Sequence, residues 1–279
     1  MEYAVTLPQG GRAASAEAIR RTAVRAEELG YAHLWVNDHI SVPEGQRYPS
    51  GFIFDPLMAM AHASGVTSTI GLGIQLTASY YAPIWLANAL ASLDTLSGGR
   101  VLAAIGVGWS KGEFDALQSD FSSRGARTDE IVEIMRTVWA QDHVVIETPH
   151  YTIPSIKVAP KPAHRIPLWI AGSSEPARRR AVAIGDGFHP EMGVAVELDT
   201  IASDVARMRS ERPEADFTYS LYTTKWDLSQ RAEEDVLRER DLVADAGVQH
   251  VVLSLVCPDP DERVSVMERL ADLLEVGKA

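Results

Sequence analysis

The sequence predicts an α/β fold, a closed (β/α)8 barrel of the TIM type with a small hairpin inserted before the fifth strand. Three observations support this prediction. Strand-like and helix-like segments alternate along the 279 residues and form eight strand–helix units. The strands are apolar throughout, as parallel strands buried on both faces are. The length suits one barrel, and no linker or change in composition divides residues 1–279, so we predict a single domain.

The first half of the chain supplies four of these units. Strands are predicted at residues 3–7, 32–36, 70–76 and 101–107. Ser15 can cap the first helix, and Gly30 ends it. Asp55 and Pro56 begin the second helix, and Pro83 occupies the first turn of the third, where proline is tolerated. The fourth helix has a single apolar face, formed by Ile131, Ile134, Met135 and Val138.

The second half begins with an additional element. Residues 144–153 predict a small hairpin, which precedes the fifth strand at residues 168–171. The last three strands are predicted at residues 187–189, 217–224 and 251–256, each followed by a helix. The final helix has a complete start signal, with Asp259 as N-cap, Pro260 at the first position and Glu262 as capping-box acid. An open doubly wound sheet could also host such alternation, but eight regular units favour a closed barrel.

The composition argues against several classes of protein. A net charge of −12 argues against a general nucleic-acid binder, which needs a basic face to displace counterions from phosphates. The single cysteine, Cys257, excludes an intramolecular disulfide and a cysteine-based zinc site. No run of about eighteen apolar residues predicts a membrane span, and the first residues lack the pattern of a signal peptide. We therefore expect a cytoplasmic protein whose partner is a small molecule.

In a barrel, the active site is built from residues that follow the strands. His39 follows the second strand, Gln75 ends the third, and His189 ends the sixth. Paired histidines on the first strand and a His-Glu-x-x-His pattern are both missing, so we expect no bound metal. No opposed pair of carboxylates follows the strands, which argues against a glycosidase. The expected site therefore offers hydrogen-bond donors and one well-placed histidine.

Two glycine-containing turns at strand ends indicate ligand contacts. Gly106 and Gly108 follow the fourth strand, but the third glycine of a dinucleotide-binding motif is missing. This turn predicts that the backbone can approach a flat ligand closely. After the fifth strand, Gly172, Ser173 and Ser174 lead into a helix, whose N-terminal amides favour a bound phosphate. On local grounds, a simple N-cap role for Ser174 is an equally good interpretation.

Segments in the first two-thirds of the chain also share a pattern with a known family. The most specific stretch runs from Ser97-Gly98-Gly99-Arg100 to Gly106-Val107-Gly108-Trp109. Other matching segments are residues 26–31, 34–39, 48–49, 54–57, 70–73, 113–114, 124–130, 167–170 and 185–190. Together they resemble the luciferase-like monooxygenase superfamily, and within it the actinobacterial branch of coenzyme F420-dependent oxidoreductases. The last third agrees only loosely, through residues 246–248.

The resemblance implies a flavin or deazaflavin ring in the carboxyl-terminal mouth of the barrel. It implies a bulge in the third strand behind the ring, with a non-prolyl cis peptide bond at Gly73-Ile74. The phosphate of the cofactor would bind at the start of the helix that follows the fifth strand. The implied cofactor-binding residues are Gly73, Ile74, Gln75, Gly106, Gly108, Trp109, Gly172, Ser173 and Ser174.

The resemblance also implies that His39 is the catalytic residue, beside the reactive ring carbon. There it would donate a proton or hold a substrate oxygen during hydride transfer, and histidine suits both roles because it exchanges protons near neutral pH. The alternative interpretation is a supporting histidine that pairs with Asp38.

The choice of cofactor follows from the branch that the chain resembles. Coenzyme F420 and FMN share the ring shape and a ribityl phosphate, so the barrel pattern alone does not separate them. F420 has a carbon where flavin has its reactive nitrogen, and it therefore transfers only hydride. We expect an oxidoreductase that transfers hydride between F420 and an unidentified small organic substrate. The alternatives are an FMN-dependent monooxygenase and a flavin-binding protein without turnover.

Three further features are expected around the mouth. The negatively charged polyglutamate tail of F420 would pair with exposed cations, for which we expect Arg47, Lys111 and Arg124. An aromatic, mostly apolar substrate pocket would be formed by Tyr80, Tyr81, Trp109, Tyr222 and Trp226. The helix at residues 84–96 is apolar almost all round and needs cover, so we predict a homodimer that pairs through it, as family members do.

Overall fold

The computed structural model describes residues 1–46, 50–192, 197–213 and 216–277. Strands in these ranges are numbered in chain order. They are β1 (Glu2–Thr6), β2 (His33–Asn37), β3 (Gly71–Thr77), β4 (Val101–Gly106), β5 (Val144–Glu147), β6 (Thr152–Ile156), β7 (Leu168–Ala171), β8 (Gly187–His189), β9 (Glu191–Met192), β10 (Thr218–Thr223) and β11 (His250–Leu253).

Eight of these strands form a closed parallel barrel. Their order is β1-β2-β3-β4-β7-β8-β10-β11, and β11 pairs back to β1 with Glu2 opposite His250. Strands β5 and β6 form an antiparallel hairpin inserted before β7. The short β9 adds to the end of β10. The predicted (β/α)8 barrel with a hairpin insertion is therefore confirmed.

A helix follows every barrel strand. The helices are α1 (Ala16–Glu28), α2 (Pro56–Ser64), α3 (Pro83–Ser97), α4 (Lys111–Ala116), α5 (Arg124–Ala140), α6 (Glu175–Ile184), α7 (Ile201–Glu211), α8 (Glu233–Asp245) and α9 (Pro260–Leu273). The short α4 between β4 and α5 is the one that the sequence pattern did not predict. In the described ranges, every helix is too short or too polar to cross a membrane.

Side chains at the predicted N-caps fix the starts of the helices. The hydroxyl of Ser15 accepts a hydrogen bond from the amide of Ala18 at 3.0 Å, and Asp259 caps α9 through the amide of Glu262 at 3.0 Å. The carboxylate of Asp55 accepts from the amide of Met58 at 2.9 Å. Each cap satisfies a backbone donor that lacks a partner within the helix.

The barrel has an unusual interior. The large apolar core lies between the barrel and its helices, while the interior holds a smaller cluster around Trp35 and Trp169, which stack with ring centroids 6.2 Å apart. Branched aliphatic residues dominate most barrel interiors, whereas this one also contains His33, His189 and His250. Rings of this size need space from the strands opposite.

Glycines on β3 and β8 provide that space. A Cβ atom at Gly73 would lie 2.0 Å from the ring of Trp35, and one at Gly71 would lie 2.3 Å from the ring of His33. A Cβ at Gly187 would lie 2.6 Å from Trp169. Gly73 is thus required by packing inside the barrel.

The expected cis peptide bond at Gly73-Ile74 is wrong. Among the described residues, the only cis peptide bond precedes Pro160. Strand β3 pairs without interruption with both neighbours, so that Ile74 lies opposite Val36 on one side and Ala103 on the other. A cis bond before a residue other than proline costs about 3–4 kcal/mol, and this regular ladder contains no bulge to enforce one.

Candidate active site

A cavity of about 750 Å³ opens at the carboxyl ends of the barrel strands. Its described lining comes from β2, β3, β4 and β7 to β10, from the loops after these strands and from the loop after β11. Eight of the ten residues predicted for the site line it, namely His39, Gln75, Gly106, Gly108, Trp109, Gly172, Ser173 and Ser174. The size suits a ligand of several fused rings.

The other two predicted residues lie elsewhere. Gly73 faces Trp35 inside the barrel, below the cavity. Ile74 is fully buried in the outer core between the barrel and its helices. Of the three residues predicted on β3, only Gln75 lines the cavity, because the cavity begins near the carboxyl end of the strand.

His39 is held by a buried carboxylate. Its Nδ1 lies 2.9 Å from Oε2 of Glu113, a residue of α4 that is 0% exposed. The other carboxylate oxygen of Glu113 accepts hydrogen bonds from the amides of Ile40 at 3.0 Å and Ser41 at 3.2 Å. His39 therefore pairs with Glu113, not with Asp38 as the alternative interpretation had it.

Glu113 is held as the charged partner of this pair. Burial alone would raise its pKa, but hydrogen bonds from His39 and from the amides of Ile40 and Ser41 outweigh burial and lower the pKa below 4.5. A carboxylate only accepts hydrogen bonds, so it fixes the proton of a neutral His39 on Nδ1. Nε2 is then the ring nitrogen that can take a proton. The sequence assigned no role to Glu113 because α4 was not predicted.

Asp38 lies beside His39 in the wall of the cavity and has a different environment. Burial raises its pKa to about 7, opposed by hydrogen bonds from the amide of Thr77 at 2.8 Å and the hydroxyl of Tyr81 at 2.9 Å. The nearby charges of Asp55 and Glu113 raise the pKa further. The pKa values of two neighbouring carboxyl groups are thus shifted in opposite directions, which is a pattern typical of functional sites.

The loop after β4 forms one wall of the cavity. Gly108 has a φ of +78°, and a Cβ there would lie 2.6 Å from Thr77 and 2.8 Å from Phe114. Trp109 is 57% exposed, and its ring contacts that of His39 edge-on at 5.9 Å between centroids. A large aromatic surface that is exposed at the rim of a cavity suits contact with a ligand.

The turn after β7, for which an anion site is predicted, lies in the wall of the cavity. Gly172 has a φ of +118°, and Ser174 caps α6 by accepting from the amide of Ala177 at 3.3 Å. The hydroxyl of Ser173 accepts from the amide of Glu191 at 3.0 Å. The cap interpretation of Ser174 therefore holds, and the same turn also lines the cavity with the N-terminus of α6. No lysine or arginine occurs among the described lining residues.

The inner end of the cavity presents two unsatisfied polar atoms. Asn37 donates to the hydroxyl of Tyr222 at 2.8 Å, which in turn donates to Ser254 at 2.8 Å. Oδ1 of Asn37 has no hydrogen-bond partner among the described residues, and neither has Nε2 of His189, a residue only 1% exposed. Unsatisfied buried polar atoms that line a cavity indicate a ligand that supplies their partners.

Several residues predicted around the mouth have other roles. Trp226 is buried and donates to Glu239 at 3.0 Å, and Tyr81 stacks on Trp85. Neither is among the lining residues, whereas the other three predicted aromatics are: Tyr80, Trp109 and Tyr222. Of the predicted tail cations, Lys111 pairs with Asp115 at 2.7 Å and Arg124 bonds to the backbone of Gly108 at 3.2 Å. Arg47 lies outside the described residues.

The sequence matches a family model described as luciferase-like monooxygenase over residues 1–263. An F420-dependent glucose-6-phosphate dehydrogenase of Beutenbergia cavernae is 28% identical over 284 residues, covering 91% of this chain and 83% of that protein. Its counterpart from Amycolatopsis mediterranei is 31% identical over 186 residues, which are 64% of this chain and 54% of that protein. The match thus spans only about half the length of some of these relatives.

Solved structures share the whole barrel. Monooxygenase RslO1 from Streptomyces bottropensis superimposes with a TM-score of 0.85 at 20% identity, and the match covers 100% of both chains. An F420-dependent secondary alcohol dehydrogenase, solved with an F420–acetone adduct, gives a TM-score of 0.79 at 17% identity over 98% of both chains. At such identities the likeness concerns the fold.

Proposed function

Because this chain belongs to the luciferase-like monooxygenase family, we propose that it is an oxidoreductase that transfers hydride between coenzyme F420 and a small organic substrate. The observation that carries the proposal is the His39–Glu113 pair, which lies in the wall of a cavity large enough for a deazaflavin and a substrate. The names of the relatives support the choice of cofactor, since several are F420-dependent dehydrogenases.

The residues of the cavity fit such a cofactor. The turn of Gly172, Ser173 and Ser174 offers backbone amides and hydroxyls at the N-terminus of α6, where a phosphate is stabilised by the helix dipole. The glycines of the loop after β4 let a flat ring approach the backbone. Coenzyme F420, when bound there, would supply or accept the hydride.

His39 would move the proton that accompanies hydride transfer. The carboxylate of Glu113 holds the ring through Nδ1 and stabilises the imidazolium once Nε2 takes a proton. A substrate hydroxyl would thus lose its proton to His39 as it is oxidised, and a carbonyl would gain a proton from His39 as it is reduced. Trp109 would cover this part of the cavity and limit the access of water.

The substrate that best fits the cavity is uncharged. The described lining contains no lysine or arginine to pair with a phosphate or carboxylate on the substrate, and its titratable groups include Asp38, Glu191 and His189. Burial raises the pKa of Glu191 and lowers the pKa of His189 to about 3, so burial opposes the charged form of both groups. We therefore propose that a neutral alcohol or carbonyl compound reacts, and that a sugar phosphate does not.

A reduced-FMN monooxygenase is the second candidate, because the superimposable neighbour RslO1 is named a monooxygenase. Oxygen separates the two proposals. A panel of neutral alcohols and carbonyl compounds is offered to the protein with oxidised or reduced F420, and the cofactor absorbance is followed with and without oxygen. Turnover that persists under anaerobic conditions supports F420 hydride transfer. Turnover only with reduced FMN and oxygen supports the alternative and refutes the main proposal.

We also propose that two copies of the chain form a homodimer through α3. Trp85 and Leu96 lie on the same side of this helix, about three turns apart, and they are 48% and 84% exposed. Met58 of the neighbouring α2 is 62% exposed. Large apolar residues that cluster on one surface indicate an interface.

A further inference from the structure

A chain of hydrogen-bonded side chains crosses the interior of the barrel. It starts at the cavity with His189, whose Nδ1 lies 2.9 Å from the hydroxyl of Ser220. The same hydroxyl lies 3.0 Å from Nδ1 of His250. Nε2 of His250 lies 3.2 Å from Nδ1 of His33, a partly exposed residue at the amino end of β2. The chain thus connects the cavity with the opposite end of the barrel.

The strand register brings these groups together. Ser220 and His250 are direct partners on β10 and β11, and the pairing of β8 with β10 brings His189 next to Ser220. The absence of a side chain at Gly71 makes room for the ring of His33. Ser220, His189 and His250 are at most 1% exposed, so these hydrogen bonds are shielded from water.

The hydrogen bonds of the chain share one direction, because a neutral imidazole between two partners donates through one ring nitrogen and accepts through the other. In the direction that lets the chain take a proton from the cavity, His33 carries its proton on Nε2 and accepts through Nδ1. His250 then donates from Nε2, Ser220 donates to His250, and His189 donates from Nδ1 to Ser220. Nε2 of His189 is left as an acceptor that faces the cavity.

We infer that His189, Ser220, His250 and His33 form a proton relay between the cavity and the far end of the barrel. This inference rests on the proposed function, because oxidation or reduction of an organic substrate by hydride transfer leaves a proton to be moved. The unpartnered, buried Nε2 of His189 is the terminus that meets the ligand. His39 and His189 would then serve the same cavity from two sides.

The transfer conserves atoms and charge. A hydroxyl or N–H group of the ligand gives its proton to Nε2 of His189, whose Nδ1 proton passes to the oxygen of Ser220. The hydroxyl proton of Ser220 passes to Nδ1 of His250, and the Nε2 proton of His250 passes to His33. His33, which is partly exposed, then releases its Nε2 proton to water. Each group forms one bond to hydrogen and breaks one, no electrons move, and the reverse sequence delivers a proton to the cavity.

Nitrogen-15 NMR of the histidine-labelled protein, without cofactor, tests this relay through the tautomer of each ring. We expect His189 to be protonated on Nδ1, and His250 and His33 on Nε2, at neutral pH. His33→Phe removes the outer hydrogen-bond partner of His250, so His189, at the other end of the chain, should change to a mixture of both tautomers. Glu17→Gln, at an exposed site on α1, is the matched control and should change none of them. A His189 tautomer that is the same in His33→Phe as in the parent protein would overturn the relay.

Substitutions of Ser220 provide a second test of the relay. Ser220→Ala removes the central hydroxyl and should change the His189 tautomer, while Ser220→Thr keeps the hydroxyl and should restore it. With a substrate in hand, Ser220→Ala should lower kcat by about 10²-fold, leave KM unchanged and reduce the solvent deuterium isotope effect on kcat. An isotope effect and kcat that equal those of the parent protein would overturn the relay. If F420 does not bind, the proposed function fails, and the NMR result still decides whether the chain is coupled end to end.

Discussion

Oε2 of Glu113 lies 2.9 Å from Nδ1 of His39, and Oε1 accepts hydrogen bonds from two backbone amides. The chain therefore fixes both the orientation and the tautomer of the histidine before any ligand binds. A ring that is already oriented loses little entropy when it acts on a substrate.

The first prediction concerns this pair. Glu113→Gln keeps an acceptor for the amides of Ile40 and Ser41 but presents an NH2 group to His39. The ring must then accept at Nδ1, so Nε2 carries the proton and no longer takes one. We expect turnover to fall by about 10²–10⁴-fold in alcohol oxidation, with the affinity for cofactor nearly unchanged. Steady-state kinetics measures the turnover, and fluorescence titration measures the affinity for cofactor. Parent-like turnover in Glu113→Gln would show that the carboxylate does not orient the base.

Much of the fold could be predicted from the sequence, because apolar strands and capped helices are local signals. Strands β7 and β8 occur at the predicted residues, and the starts of α1 and α9 at Ser15 and Asp259 follow from their caps. The bounds of β11 were less accurate, because the apolar run after Leu253 continues into a loop.

The site was less predictable because its partners meet only in three dimensions. Glu113 lies in a one-and-a-half-turn helix that is too short for a hydrophobic period, and it reaches His39 across 74 positions of the chain. Nothing local in the sequence relates His33 to His250, so the contacts among the histidines inside the barrel could not be predicted. Gly73 was assigned to the cofactor, but it lacks a side chain because the ring of Trp35 occupies that space.

The second prediction uses the raised pKa of Asp38, which is about 7. A carboxyl whose pKa is higher in the folded than in the unfolded state contributes stability at low pH, and this contribution is lost as pH rises through the folded value. Asp38→Asn mimics the protonated form at all pH values. We expect similar melting temperatures for both proteins near pH 4, close to the unfolded pKa of about 3.9. The advantage of Asp38→Asn should grow up to about pH 7 and stay constant from there to pH 9. Calorimetry from pH 4 to pH 9 measures the difference.

Asp129→Asn is the control for this comparison, since that exposed aspartate pairs with Arg180 at the surface. It should show no gain in stability between pH 5 and pH 9. An Asp38→Asn curve parallel to that of the parent protein would mean that Asp38 ionises normally.

The third prediction separates binding from chemistry. Ser173→Ala with Ser174→Ala removes two hydroxyl donors from the proposed phosphate site, each worth about 1.5–3 kcal/mol for a charged ligand. Affinity for F420 should fall, while the turnover rate of the protein that still binds F420 should be retained. His39→Ala should retain affinity and lose about 10²–10⁴-fold in turnover. Equal loss of affinity in both variants would make His39 a binding residue.

A matched control is needed because Ser174 also caps α6. Ser15→Ala removes the equivalent cap of α1 at a residue that does not line the cavity, and it should cost about 0.5–2 kcal/mol of stability with no change in cofactor affinity. If Ser15→Ala weakens F420 binding as much as the double variant, the loss reflects general stability and the phosphate site is misplaced.

The fourth prediction concerns association through α3. Light scattering at micromolar concentration should give the mass of a dimer, and Trp85→Glu should give that of a monomer, because it puts a charge into an apolar interface. Val145→Glu, on the exposed strand β5 of the hairpin, should remain dimeric. A parent protein with the mass of one chain would rule out the homodimer.

Whether the protein binds F420 in preference to FMN is tested most directly by comparing the two cofactors on the purified protein. Titration with F420 and with FMN, followed by fluorescence at neutral pH, gives both dissociation constants under the same conditions. We expect F420 to bind more tightly than FMN, and we expect Ser173→Ala with Ser174→Ala to weaken F420 binding. FMN that copurifies in stoichiometric amounts, together with no detectable F420 binding, would contradict it.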